Sequence, residues 1–195
     1  MNREQLKLFE KIPVLTTPRL TLRKITPSDL ADVYEYSSDP QVSRFLLWKP
    51  HEDKTYTKHY LNYLHSQYKK GRFYDWGIEL KENGRMIGTC GFSAFDVPNN
   101  SAEIGYVLNQ SYWGQSIAKE AAMKVIEFGF LTLDLQRISA KYIIENVNSL
   151  RVMKKCNMTF EGIHKRAVKC KGLYRDVGVC AITRDEFLKL KSTQI

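Results

Sequence analysis

No apolar run in these 195 residues approaches the roughly 18–20 needed to cross a bilayer as a helix. The first ten residues, Met1 to Glu10, are polar and charged, which does not fit a secretory signal. Together these absences point to a cytoplasmic chain and exclude a membrane partner. The four cysteines, Cys90, Cys156, Cys170 and Cys180, form no close pair with metal-ligand spacing, and none has a local histidine to activate it. They read as free, buried or partly buried thiols rather than ligands or nucleophiles. His51, His59, His65 and His164 also lack metal spacing, so no metal is expected. No repeat, low-complexity tract or Gly/Ser/Pro linker divides the chain. One domain over 1–195 follows, with residues 1–12 as an N-terminal extension.

What is present is ordinary in bulk. Hydrophobic residues make up 43% and charged residues 26%, the balance of a soluble globular protein with a substantial core. The net charge of +9 is uneven: from Asn146 onward there are eleven Lys/Arg against four Asp/Glu. Such a basic end suits a solvated surface, coenzyme phosphates or RNA. The charges are scattered along strands and a helix rather than gathered into an arginine run, so nucleic acid is not an expected partner.

Thr17 to Ile25 alternates apolar and polar positions and reads as a first strand. Thr26-Pro27-Ser28-Asp29 supplies a cap and an early proline for a helix through Tyr36. Gln41 to Lys70 reads as helical turns that Gly71 ends. Two strands, Trp76–Leu80 and Met86–Phe92, flank an Asn-Gly hairpin turn. A third strand, Ala102 to Leu108, precedes a helix from Ile117 to about Phe130. Along that helix Glu120 and Lys124 are spaced as a favourable i,i+4 pair. A strand over Arg137–Ile144, a short helix over Ser149–Cys156 stopped by Asn157, and a closing hairpin turning at Lys171-Gly172 complete the chain. Strand, helix, strand implies a right-handed crossover and a parallel pair. The fold class is therefore α+β: one mixed, largely antiparallel twisted sheet with a central parallel pair and helices on both faces.

The most informative stretch is Tyr112-Trp113-Gly114-Gln115-Ser116-Ile117-Ala118-Lys119-Glu120-Ala121, a small-residue loop between a strand and a helix. A helix start leaves backbone N–H groups without partners and a partial positive charge behind them. Small side chains at Gly114, Ser116 and Ala118 let a phosphate or pyrophosphate approach those groups. The stretch resembles the acyl-CoA-binding loop of the GNAT acyltransferase superfamily, the RimJ/RimL-like branch in particular. That branch carries Trp-Gly-x-Gly-x-Ala, then Glu-Ala; Trp113, Gly114, Ala118, Glu120 and Ala121 match. Ser116 stands where a second glycine is usual. If its φ is positive, serine strains the loop, and if helical it does not.

A second stretch, Glu145 to Met158, resembles the same branch at Asn146, Ser149, Arg151, Val152 and Lys155, with Asn157-Met158 in place of Gly-Phe. The resemblance covers about residues 14–190. It implies that strands 102–108 and 137–144 splay apart around the pantetheine arm of acetyl-CoA. Backbone groups near Val107 and Leu108 would then hold pantetheine and polarise the acyl carbonyl. By the same resemblance Trp113, Gly114, Gln115, Ser116, Ile117, Ala118, Lys119 and Arg151 belong to the cofactor site, the amides from Gln115 to Ala118 meeting the pyrophosphate. Lys119, Arg151 and Lys154 are candidate phosphate partners or plain surface charges. Glu103 is the candidate general base, or one half of a cross-strand ion pair. Asn146 is assigned to the pantetheine amides or to helix capping, and Ser149 to protonating the departing thiolate or to capping. Trp48 and Tyr106 are assigned to the acceptor wall, where an aromatic cluster also suits core packing.

The activity implied is acetyl transfer to a primary amine, a protein N-terminus by analogy with the branch. A small-molecule amine is the rival acceptor. Residues 31–79 hold seven acidic and seven basic residues, which gives no carboxylate excess for a polyamine. A non-catalytic CoA-binding sensor and a basic RNA-associated module are the readings outside enzymology, and a homodimer is an open arrangement.

Overall fold

The computed structural model describes residues 7–193. A short 3-10 turn over Lys7–Lys11 leads into strands β1 (Leu15–Thr16) and β2 (Leu20–Arg23). Helices α1 (Leu30–Ser37), α2 (Pro40–Ser43) and α3 (Lys54–Lys69) follow. Next come β3 (Asp75–Leu80), β4 (Met86–Asp96), β5 (Ser101–Leu108), α4 (Ile117–Leu131) and β6 (Arg137–Ile143). Helix α5 (Val147–Lys155), strands β7 (Thr159–Cys170) and β8 (Leu173–Thr183), and α6 (Arg184–Ser192) close the chain.

The strands form one eight-stranded sheet in the order β1-β2-β3-β4-β5-β6-β8-β7. Every pairing is antiparallel except β5 with β6. This is the α+β sheet with a central parallel pair that the crossover implies. The closing hairpin inserts β8 beside β6, leaving β7 at the edge. Its two-residue turn places both Lys171 (φ 48) and Gly172 (φ 87) at positive φ, the type I′ geometry whose twist matches the strands it joins.

Local chemistry explains the boundaries. Thr26 and Asp29 form a capping box ahead of α1. Gly71 (φ 61) follows α3, and Asn157 (φ 59) follows α5 in the left-handed conformation that asparagine tolerates. The expected first strand over 17–25 is shorter, because Thr17 and Arg19 turn their polar groups onto α4. That redirection also corrects the expected Glu120–Lys124 pair. Glu120 instead accepts from the Thr17 hydroxyl at 2.6 Å and from Arg19 Nε at 2.7 Å, while Lys124 pairs with Glu127 at 2.8 Å.

One sheet face packs on α4 through Trp76, whose ring lies 5.4 Å from Phe128 and 5.6 Å from Phe9. Phe9 is fully buried and Ile12 nearly so. Phe9 and Ile12, within the expected N-terminal extension, are thus packed against the domain, and residues 1–6 lie outside the described residues. The other face is covered by α1 and α3, with Tyr36, Leu61, Leu64 and Tyr68 buried there. No helix among the described residues is long and apolar enough to cross a membrane.

Candidate active site

The parallel pair is brief. Ser101, Ala102 and Glu103 pair with Arg137, Ile138 and Ser139, and the register ends there. Beyond that point β5 and β6 part. The backbone of Ile104–Leu108 on one side and Lys141–Ile143 on the other faces a cavity of about 1260 Å³. An ordinary small-molecule pocket is roughly 300–1,000 Å³, so this one has room for two substrates side by side.

One end of the cavity is the start of α4. Ser116, its N-cap, has φ 60 and ψ 15 and makes no side-chain cap hydrogen bond. The backbone conformation is therefore the left-handed one that glycine adopts freely, and a serine there stores strain. Arg19 steadies this loop from outside. Its guanidinium donates to the Gln115 carbonyl at 3.1 Å and to Glu120. Burial works to raise the Glu120 carboxyl, but hydrogen bonds from Thr17 and Arg19 outweigh it and hold the group below its ordinary range. Trp113 Nε1 donates to the Leu108 carbonyl at 2.8 Å, tying the loop to the end of β5. The first-turn amides of α4 are left open toward the cavity, with Lys119, Arg151 and Lys155 along its wall. Lys155 takes the lining position that the sequence suggested for Lys154.

The other side of the gap is α5. Asn146 Oδ1 accepts from the Ser149 amide at 3.3 Å, so the side chain caps the helix while its amide nitrogen has no partner among the described residues. Ser149 Oγ lies 3.0 Å from the Tyr106 hydroxyl, which also donates to the Ser149 carbonyl at 2.9 Å. Burial pushes the Tyr106 phenol up, against a lowering from its Ser149 bond, so the phenol stays neutral with its proton directed at the Ser149 carbonyl.

Two carboxylates line the cavity. Glu103 is held by Lys141 at 2.6 Å. Ser93, the extra residue of a bulge in β4, donates to the Glu103 carbonyl at 3.2 Å and reaches its carboxylate at 3.4 Å. Asp75, at the start of β3, is the second, and the sequence reading passed over it by starting that strand at Trp76. The four cysteines are buried and free. Burial pushes Cys90 well up and Cys156 up to about 12, which leaves almost no thiolate at neutral pH.

The structure brings Glu103, Tyr106, Val107, Leu108, Trp113, Gly114, Ser116, Ile117, Ala118, Lys119, Asn146, Ser149 and Arg151 to one cavity. Gln115 turns its side chain to the Ser111 carbonyl and lines a smaller neighbouring hollow. Trp48 packs against His51, ring centroids 5.7 Å apart, and its neighbour Leu47 lines the cavity in its place. Tyr106 reaches α5 rather than the side of the cavity under α1 and α3.

A mixed sheet that opens between two parallel strands, with a helix N-terminus at one end of the opening, is the architecture of an N-acetyltransferase fold. The chain belongs to the GNAT acetyltransferase family: the family profile described as "Acetyltransferase (GNAT) domain" matches residues 19–159. It is 35% identical over 173 residues to the uncharacterized N-acetyltransferase p20 of Bacillus licheniformis, covering 89% of this chain and 97% of that protein. The crystal structure of a GNAT-family acetyltransferase from Bacillus anthracis superposes with a TM-score of 0.79 at 28% identity, covering 89% of this chain and all of that one. RimL, a ribosomal L7/L12 alpha-N-protein acetyltransferase solved in complex with coenzyme A, has the same fold. Its TM-score is 0.76 at 23% identity, covering 89% of this chain and 99% of that one.

Proposed function

We propose that this chain transfers the acetyl group of acetyl-CoA to the α-amine of a protein or peptide N-terminus, in a ternary complex and in the cytoplasm. The observation that carries this reading is the splayed gap between β5 and β6, with an unpartnered helix start at one end and a broad, two-substrate cavity around it. The amides of residues 115–118, with Lys119 and Arg151, are assigned to the pyrophosphate and phosphates. Backbone groups of Val107 and Leu108 and the free amide nitrogen of Asn146 are assigned to pantetheine and the thioester carbonyl. Ser149, backed by Tyr106, is assigned to the departing thiolate as its proton donor. The proton of the acceptor amine goes to one of the two carboxylates in the cavity.

The RimL neighbour acts on a ribosomal-protein N-terminus, and that likeness favours an α-amine here over a small-molecule amine. The test begins with a thermal melt with and without acetyl-CoA, using NAD as control. A ligand at a hundred times its dissociation constant adds about 2.7 kcal/mol. Peptides with free α-amines are then assayed for thiol release. No stabilisation at saturating acetyl-CoA would end the acetyltransferase reading, and stabilisation without turnover of any amine would leave a CoA-binding sensor.

A further inference from the structure

Asp75 opens β3 and is paired with Gly91 of β4, which is paired in turn with Gly105 of β5. This row crosses three strands and carries a single side chain. A Cβ placed on Gly91 would lie 2.3 Å from Asp75 Oδ1. The Tyr74 carbonyl at 2.3 Å and the Asp75 Cα at 2.4 Å crowd the same point, so the carboxylate and its own strand together fill the space over Gly91. A Cβ placed on Gly105 would meet nothing within 4 Å, so the floor beyond is open. One strand spacing, about 4.8 Å, separates the two glycines. Gly105 lies two residues past Glu103, where β5 and β6 have begun to part.

The Asp75 carboxylate has no hydrogen bond or ion pair among the described residues. The titratable groups within its electrostatic reach are Tyr36 from α1, Tyr60 and Tyr68 from α3, and Cys90 from β4, all neutral at pH 7. No cation holds its charge, and the lysine nearest the other carboxylate is engaged with Glu103. A lone carboxylate near tyrosine side chains, lining the same cavity as Gly105 at the opening of the sheet, suits an alkylammonium group.

We propose that Asp75 binds the ammonium form of the acceptor and takes its proton, and that Glu103, fixed by Lys141, positions rather than deprotonates. The proposal rests on the acetyl-transfer reading above. One proton passes from the ammonium to Asp75, and the freed nitrogen lone pair forms the N–C bond at the thioester carbonyl. The C–S bond breaks with its electrons going to sulfur. Ser149 protonates the thiolate and recovers the second proton from nitrogen, and Asp75 returns the first to water, giving amide, free thiol and one proton. Burial pushes Asp75 up to about 7. That is about one pH unit below an α-amine and about three below a lysine side chain, so this base suits an α-amine.

Two measurements on the full chain test this. In protein labelled with ¹³C at aspartate carboxyls, the resonance missing from Asp75→Asn should titrate near pH 7 and shift on adding methylammonium. With a peptide bearing a free α-amine, Asp75→Asn should lower kcat/KM by roughly 10²–10⁴-fold, abolish the pH limb near 7, and leave the acetyl-CoA thermal shift intact. Glu103→Gln should keep that limb. An Asp75 resonance titrating in the ordinary carboxylate range or blind to methylammonium overturns the proposal, as does a limb lost in Glu103→Gln and kept in Asp75→Asn. A wild-type chain that acetylates no α-amine peptide would sink the proposed acceptor class instead, and the carboxyl titration would still decide the role of Asp75.

Discussion

Glu103 and Lys141 meet at 2.6 Å across the mouth of the sheet. Glu103 is the last residue of β5 paired with β6, and Lys141 lies two residues beyond the end of that pairing on β6. The ion pair is a diagonal staple over the point where the strands separate. Its side chains are 25% and 50% exposed, so water screens it and its contribution to stability is small. Replacing Lys141 with Met should change unfolding free energy by less than about 1 kcal/mol while lowering kcat/KM several-fold under the proposed function, because Glu103 loses its fixed orientation at the gap. Urea unfolding and steady-state kinetics read the two effects separately. A large stability loss with unchanged kinetics would make the staple purely structural.

The loop before α4 depends on a contact a hundred residues away in sequence. Glu120 gathers Thr17, the Arg19 backbone and the Arg19 guanidinium, and Arg19 in turn holds the Gln115 carbonyl. Glu120→Ala should cost about 2 kcal/mol, the scale of hydrogen bonds to a charged group, and weaken acetyl-CoA binding through the loosened loop. The folded carboxyl is held below its unfolded value of 4.5. Its contribution is therefore complete above that value and lost as pH falls through the folded value. The stability gap between wild type and variant should stay constant above about pH 5.5 and close in more acidic solution. A gap that widens with acid would contradict this pairing.

Ser116 answers the question the sequence raised about its loop. At φ 60 it is in the left-handed conformation that glycine adopts freely, and an L side chain there costs roughly 1–2 kcal/mol. Part of that cost is offset because glycine gains more freedom in the unfolded chain. Ser116→Gly should raise stability by up to about 1 kcal/mol, with acetyl-CoA affinity equal or higher. A clear loss of affinity would show instead that the Ser116 hydroxyl touches the cofactor.

The elements with local signals were legible in the sequence: the Asn-Gly hairpin, the Lys171-Gly172 turn, the cap at Thr26–Asp29 and the left-handed stop at Asn157. The motif residues of the β5–α4 and α5 segments also converge on one cavity. Glu120 was misread because the i,i+4 rule sees only its own helix, whereas Arg19 reaches it from a strand edge. Trp48 packs on His51, and aromatic spacing alone does not say which ring faces the core. Asp75 was missed for a related reason. Its meaning comes from Gly91 and Gly105, which lie on two other strands and become its neighbours only when the sheet forms.

The bare floor at Gly105 gives a test that separates folding from chemistry. Gly105 sits in a strand with no positive φ recorded, and an added Cβ meets nothing within 4 Å. Alanine there also removes the entropy penalty of a strand glycine, so Gly105→Ala should be as stable as wild type or more so, by up to about 1 kcal/mol. The methyl group would nevertheless stand between Asp75 and the opening of the sheet, where the incoming amine must pass. Acetylation of an α-amine peptide should fall at least about tenfold, a barrier increase near 1.4 kcal/mol, through a raised peptide KM. The acetyl-CoA thermal shift should persist, since the residues proposed for the phosphates and pantetheine lie elsewhere. Gly105→Val should deepen the effect on the peptide without touching the cofactor. Unaltered peptide kinetics in both variants would mean that the acceptor enters by another route, and the row from Asp75 to Gly105 would lose its role as the acceptor floor.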